Sequence, residues 1–264
     1  MISKKNEATQ NQYLCKPENK IMGIRLAIDL GNTASKALFF GTGAPDDLVF
    51  FDPESPKALQ MALEVHQPTA AIISSVREVP EALTALIEQH CNFQHLSHLT
   101  PLPFSIEYQT PETLGRDRIA AVAAAYARFP GRNVLVIDMG TCITYDLLTA
   151  EGIYQGGAIS PGITMRLKAM NAFTSRLPLA EASTKVPLIG QTTLQSLQSG
   201  AVNGARAEIG GIIRMYEEKF PELLVLVGGG DNIYFDSKFK NSIFAASNLV
   251  LEGLQAIMEF NKIG

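Results

Sequence analysis

Ile24-Arg25-Leu26-Ala27-Ile28-Asp29-Leu30-Gly31-Asn32-Thr33 decides the fold. The apolar run reads as a buried strand, and the glycine that follows the acidic residue, with Asn and Thr behind it, reads as its turn. Lys36 to Phe40 resumes an apolar strand on the far side, so the unit is a β-hairpin with a polar tip. The pattern returns at Val134 to Leu148, where an apolar run leads into Asp138-Met139-Gly140-Thr141 and then a second strand. Asp29 and Asp138 lie 109 positions apart (138 − 29). A solenoid repeats about every 20–50 residues, so a repeat at nearly half the chain length marks a duplicated domain.

Outward from the hairpins, strands and helices alternate. Ala70 to Val76 reads as a buried strand, Pro80 to His90 as a helix with Pro in its first turn, and Gly115 to Phe129 as an alanine-rich helix that stops against Pro130-Gly131. Beyond the second hairpin come a strand near Tyr154 to Ile159 and helices at Ile163 to Thr174 and Leu194 to Lys219. A strand from Leu223 to Val227 then runs into Gly228-Gly229-Gly230-Asp231, and a last helix starts near Asn248. This is an α/β chain of two related lobes, residues 22–114 and 115–264. Residues 1–21, rich in Lys, Asn, Gln and Glu, are expected to form a disordered tail.

Composition narrows the function. At 264 residues and 46% hydrophobic, the chain can fill two cores. Its 22 basic and 26 acidic residues give a net charge of −4, which supplies no basic field for a nucleic acid. No run nears the roughly 18 apolar residues of a membrane span, and residues 1–21, polar and lysine-containing, are not expected to act as a secretory signal. A cytoplasmic protein with neither a nucleic-acid nor a membrane partner is expected. Cys15, Cys91 and Cys142 are too few and too dispersed for a disulfide framework or thiolate cluster, and are expected as reduced thiols with Cys142 buried. The four histidines show no metal-ligand spacing.

A carboxylate at the end of a buried strand, followed at once by a glycine turn, can hold a hydrated cation in front of exposed backbone N–H groups, which suits a nucleotide phosphate. Asp29, Gly31, Asn32 and Thr33 supply this, and Lys36 can add positive charge; alone, the same residues also make an ordinary self-capped hairpin. The duplicate, Asp138, Gly140 and Thr141, shifts that balance, because two such tips can flank one polyphosphate. In the second copy the lysine position is replaced. Asp146 is either a further cleft carboxylate or a solvated strand residue. Gly228-Gly229-Gly230 is a weak ligand signal, and neither the dinucleotide fingerprint nor the P-loop pattern occurs. Gly115-Arg116-Asp117-Arg118 opens the alanine-rich helix, where Arg118 can grip an anionic substrate and Asp117 can accept a hydroxyl proton during phosphoryl transfer. The alternative is a first-turn dipole partner beside a surface ion pair.

Four motifs in order resemble the type III pantothenate kinases, members of the acetate kinase, sugar kinase, heat-shock protein 70 and actin superfamily. They are Asp29-Leu30-Gly31-Asn32-Thr33 with Lys36; Gly115-Arg116-Asp117-Arg118 preceded by Tyr108 and Pro111; Asp138-Met139-Gly140-Thr141 extended through Thr144 and Asp146; and Gly190-Gln191-Thr192-Thr193 followed by Ser199-Gly200. The likeness runs from Met22 to about Phe260. It implies two duplicated ribonuclease H-like, or actin-like ATPase, lobes with a nucleotide cleft between them, and ATP-dependent phosphorylation of pantothenate, the entry to coenzyme A. By resemblance Asp117 is the general base, while Tyr108, Gly115, Arg116, Asp117, Arg118 and Thr193 contact pantothenate. Magnesium-bound ATP lies between the Asp29 and Asp138 loops, against Gly31, Asn32, Thr33, Lys36 and Thr141. Asp138 holds a monovalent cation, potassium or ammonium, and a homodimer completes the pocket. Two departures stand out: Cys142 occupies a slot expected to be small, such as Ala, and Arg116 fills the variable slot of its motif. The rivals are a superfamily kinase for another small hydroxy acid or sugar, and a regulatory ATP-binding protein without catalysis, against which the intact Asp117 argues.

Overall fold

The computed structural model describes residues 23–41, 46–234 and 243–263. The tail expected at 1–21 lies outside them. In the first half, β1 (Ile24–Leu30) pairs antiparallel with β2 (Ser35–Gly41), and β2 with β3 (Asp47–Phe51). On the other side of β1, β4 (Ala70–Ser75) and then β5 (Asn92–His95) run parallel, giving the order β3-β2-β1-β4-β5.

A two-residue strand, β6 (Ser105–Ile106), is the first to enter the second sheet, whose other members are β7 (Val134–Met139), β8 (Cys142–Leu148), β9 (Ile153–Pro161), β10 (Leu224–Gly228) and β11 (Ile243–Ala245). Without β6 the order is β9-β8-β7-β10-β11, with the same alternation of antiparallel and parallel pairs as the first sheet. Strand for strand, one lobe repeats the other, which is the duplicated ribonuclease H-like arrangement of the actin-like ATPases. Sheet membership departs from the division at 114/115, because β6 lies parallel along the free edge of β9. Ser105 N–H bonds Gly152 O at 3.0 Å and Glu107 N–H bonds Tyr154 O at 2.9 Å, satisfying an otherwise bare strand edge.

Three layers of side chains follow from strand alternation. Leu26, Ile28 and Leu30 point to one face of the first sheet, where Leu59 and Leu63 of α1 (Lys57–His66) and Leu83 and Ile87 of α2 (Glu81–Glu88) cover them. The outer face of the second sheet is covered by α4 (Ile163–Ala172) and α5 (Thr193–Lys219). Between the sheets lie α3 (Arg116–Arg128) and α6 (Leu249–Phe260), sharing one core with Ala27, Phe40 and Ile72 on one side and Val134, Val136 and Leu148 on the other. Every residue of α3 from Ile119 to Ala125 is buried, as a helix enclosed on all sides must be. Its alanines let α6 come close: a Cβ on Gly253 would sit 1.7 Å from Ala120 O.

No element was expected between the first hairpin and Ala70, yet β3 and α1 fill that interval. α1 begins at Pro56 without a side-chain cap and buries only Leu59 and Leu63, so its local signals are faint. β3 is an edge strand of mixed exposure. Among the described residues no helix is long and apolar enough to cross a membrane.

Candidate active site

The same alternation that builds the inner core ends in charge. On β1, Ala27 faces the α3 layer, and two residues further Asp29 does the same; on β7 the series is Val134, Val136, Asp138. Asp29 stands opposite Lys36 on β2 and Ser74 on β4. Asp138 stands opposite Thr144 on β8 and Gly228 on β10. The lysine of the first lobe is thus answered by a threonine in the second, which makes the two copies chemically unequal. Into the gap between these edges comes the N-terminus of α3, carrying Asp117 and Arg118.

These carboxylates sense one another. Burial first, then the charges of Asp117 and Asp138, push Asp29 up to about 7, with Lys36 opposing. Burial and then Asp117 push Asp138 to about 6, again against Lys36. Asp117 is raised by burial, opposed by the Arg118 N–H and guanidinium. Its Oδ1 accepts the Arg118 N–H at 2.9 Å, taking one of the helix's free amides. Gly115 makes room for that carboxylate, since a Cβ there would lie 2.5 Å from Asp117 Oδ1.

The two hairpin tips meet. Thr33 Oγ1 and Thr141 Oγ1 share a hydrogen bond at 2.9 Å although the residues are 108 positions apart. Gly31 and Asn32 sit on the same tip as Thr33, and a cavity of about 300 Å³ lined by Gly31 to Ser35 with Phe51, Asp52, Pro53 and Arg77 opens beside it. That cavity borders the first tip rather than the acidic cluster. Lys36 lies with its Nζ 5.6 Å from the Phe50 ring centroid.

Arg118 is not in a surface ion pair. It is buried, and its Nε and Nη2 both donate to Asp146 Oδ1, at 2.9 and 2.6 Å. Asp146 itself is inaccessible to solvent, which settles the choice left open for it: it belongs to the inner layer. Tyr154 OH donates to the same Oδ1 at 2.6 Å, and the Tyr108 ring lies parallel to Tyr154 with centroids 6.5 Å apart. Burial pulls Asp146 toward its neutral form and Arg118 opposes this; because a guanidinium keeps its proton, the pair stays ionic.

Other expected residues stand apart from this cluster. Arg116, expected on the substrate, donates instead to the carbonyls of Leu114 at 2.9 Å, Glu112 at 3.1 Å and Pro111 at 3.5 Å, closing the short 3-10 turn before α3. A long guanidinium beside these carbonyls is drawn to them, although Pro111 O also accepts the Leu114 N–H at 3.3 Å. Thr193 is exposed in the first turn of α5, whose cap is the Thr192 hydroxyl accepting from Gln195 N–H at 3.2 Å. Cys142, expected buried, is half-buried because it starts β8 at the tip; Cys91 and Cys142 are free thiols. Sequence reading missed Tyr154, for which a tyrosine in a strand gives no functional signal.

Duplicated ribonuclease H-like lobes, facing Asp-x-Gly tips and a carboxylate cluster beneath them define a phosphotransferase of the actin-like ATPase class. Residues 25–215 match the family model described as type III pantothenate kinase. A curated type III pantothenate kinase from Bacteroides fragilis is 42% identical over 239 residues, covering 90% of this chain and 98% of its own; one from Christiangramia forsetii is 44% identical over 243 residues, covering 90% and 99%. The chain belongs to the type III pantothenate kinase family. A crystal structure from Campylobacter jejuni described as a Baf family transcriptional activator superposes with a TM-score of 0.55 at 24% identity over 90% of this chain and 98% of that one, a likeness of fold alone.

Proposed function

We propose that this chain phosphorylates pantothenate with ATP, the first step of coenzyme A biosynthesis, with Asp117 as the general base. The observation that carries this reading is the Asp117 carboxylate itself, raised by burial at the first turn of α3 and set against the two hairpin-tip aspartates. The primary hydroxyl of pantothenate gives its proton to Asp117 as its oxygen bonds to the γ-phosphorus, and the bond from that phosphorus to the bridging oxygen breaks to release ADP. A raised carboxylate is a stronger base than a solvated one. Arg118, backed by Tyr108 and the Gly115 turn, takes the substrate's carboxylate.

The nucleotide's phosphates belong with Gly31, Asn32, Thr33, Lys36 and Thr141. Asp29 and Asp138 fit a divalent cation by their chemistry: they are hard oxygen donors raised by burial and repulsion, which a cation relieves. Mg²⁺ keeps waters and phosphate ligands, so one or two protein carboxylates are enough to hold it. When bound, it neutralises charge on the transferring phosphoryl group. Asp138 is also the residue for a monovalent cation, potassium or ammonium.

A homodimer fits the exposed apolar side chains between α4 and α5, where Phe173 is 88%, Leu188 83% and Ile189 78% accessible. Thr193 lies at the end of that segment, so in a dimer it serves the pocket of the partner copy. A coupled ADP-release assay with pantothenate, Mg-ATP and potassium tests the reading. Asp117→Asn should lower kcat by about 10²–10⁴-fold, the usual reach of a general base. Wild-type turnover in that variant would take the base away from Asp117, and no pantothenate-dependent ADP from the wild type would remove the substrate.

A further inference from the structure

We infer that Asp146 and Tyr154 are positioning residues that aim Arg118 at the substrate's carboxylate, and so set the preference for an anionic over a neutral acceptor. The inference rests on the reading of Arg118 as the carboxylate contact. Its support is the way the guanidinium is held. A guanidinium and a carboxylate left to themselves prefer a fork-on-fork pair that uses both oxygens. Here Nε and Nη2 of Arg118 converge on Oδ1 alone, Tyr154 OH adds a third donor to that oxygen, and Oδ2 is buried without a hydrogen bond of normal geometry, although the Thr144 hydroxyl lies near enough to favour the charged form. The Asp146 carboxylate grips one edge of the fork only. Nη1, on the other edge, is not engaged by Asp146, and Tyr108 is the further side chain that interacts with the guanidinium. Tyr108, its ring centroid 6.0 Å from Arg118 Cζ and parallel to Tyr154, walls one side of the guanidinium.

The residues come from three elements, α3, β8 and β9, with β8 and β9 adjacent in the sheet, so the grip on Arg118 is fixed by the same pairing that builds the second lobe. Burying an ion pair yields little net stability, because desolvation offsets the attraction. Orientation is what such a pair supplies. It also cancels charge: Arg118 and Asp146 together are neutral, so an anion arriving at Nη1 is recognised by the direction of its hydrogen bonds more than by net attraction.

That cancellation gives the test its sign. Asp146→Asn leaves Arg118 with an unopposed positive charge, and attraction alone would lower KM for pantothenate. Positioning predicts the reverse: KM for pantothenate rises about tenfold, KM for ATP stays within about twofold, and kcat/KM for pantothenate relative to pantothenol, in which a CH₂OH replaces the carboxylate, falls by a similar factor. Tyr154→Phe, which keeps the buried ring and removes only the hydroxyl, shifts the same ratio by about threefold in the same direction. The two variants are compared with Arg118→Ala, with thermal unfolding recorded for each. A reduced ratio in all three supports the inference. A reduced ratio in Arg118→Ala with the wild-type ratio in folded Tyr154→Phe overturns it while leaving Arg118 as the carboxylate contact. An unchanged ratio in Arg118→Ala removes both.

Discussion

Replacing Asp29 by Asn should make the protein inactive and, above neutral pH, more stable. The carboxyl of Asp29 titrates at about 7 in the folded protein against 3.8 for a free aspartate. A folded value above the unfolded one means that the fold binds the proton more tightly, so its stabilising contribution is complete below about pH 4 and lost as pH rises through 7. At about 1.4 kcal/mol per pH unit between the two values, the ionised side chain costs the fold roughly 4 kcal/mol at high pH. About 2 kcal/mol of that is lost between pH 5.5 and 7.5. Asn keeps the shape and carries no proton to lose, though it leaves Lys36 without its partner across the hairpin, which trims the gain. Urea titrations at 25 °C in low salt with chelator, for wild type and Asp29→Asn at pH 5.5, 6.5 and 7.5, read the difference directly. Asp138 is raised by burial in both proteins, so apart from its coupling to Asp29 its contribution largely cancels. The stability gap should widen by about 2 kcal/mol across the series. Parallel curves over that range would refute the claim that Asp29 is held near neutrality by burial and its acidic neighbours.

Two further outcomes follow from packing and exposure. Gly253→Ala should destabilise by about 1–3 kcal/mol, because its methyl would run into Ala120 O, although the same change in an exposed helix gains about 1 kcal/mol; thermal melts of the variant decide the sign. If a second copy completes the substrate pocket through Thr193, dilution below the dimer dissociation range should abolish pantothenate turnover, and sedimentation that finds a fully active monomer would exclude it.

The hairpins were legible because their signal is local: a buried strand, an acidic residue and a glycine turn within ten positions, written twice. Strand order was not, since β4 and β10 reach their places beside β1 and β7 by crossovers that composition does not encode. The short strand β6 has only two residues, Ser105 and Ile106, and its existence depends on the bare edge of β9. At the site, sequence brought forward Asp29, Asp117 and Asp138, and in the fold the charge of Asp117 raises both of the others. It could not say which way a flexible guanidinium turns. Arg116 and Arg118 are two positions apart, yet one turns back onto its own turn and the other onto Asp146. That second contact joins a helix to a strand 28 positions away, beyond the reach of any periodicity.

The shared middle layer makes the two lobes inseparable despite their common plan. The inner face of the first sheet, with Ala27, Leu38, Phe40, Ala70 and Ile72, is roofed by α3 and by α6 from the far end of the chain. Expressed alone, the N-terminal half would expose that face to water, and a truncation ahead of Leu249 would strip the roof from strands formed at the opposite end of the polypeptide. A fragment-complementation pair cut between the hairpins therefore has to reunite both pieces before either can fold, and lesions in the last helix should behave like lesions in the first strand.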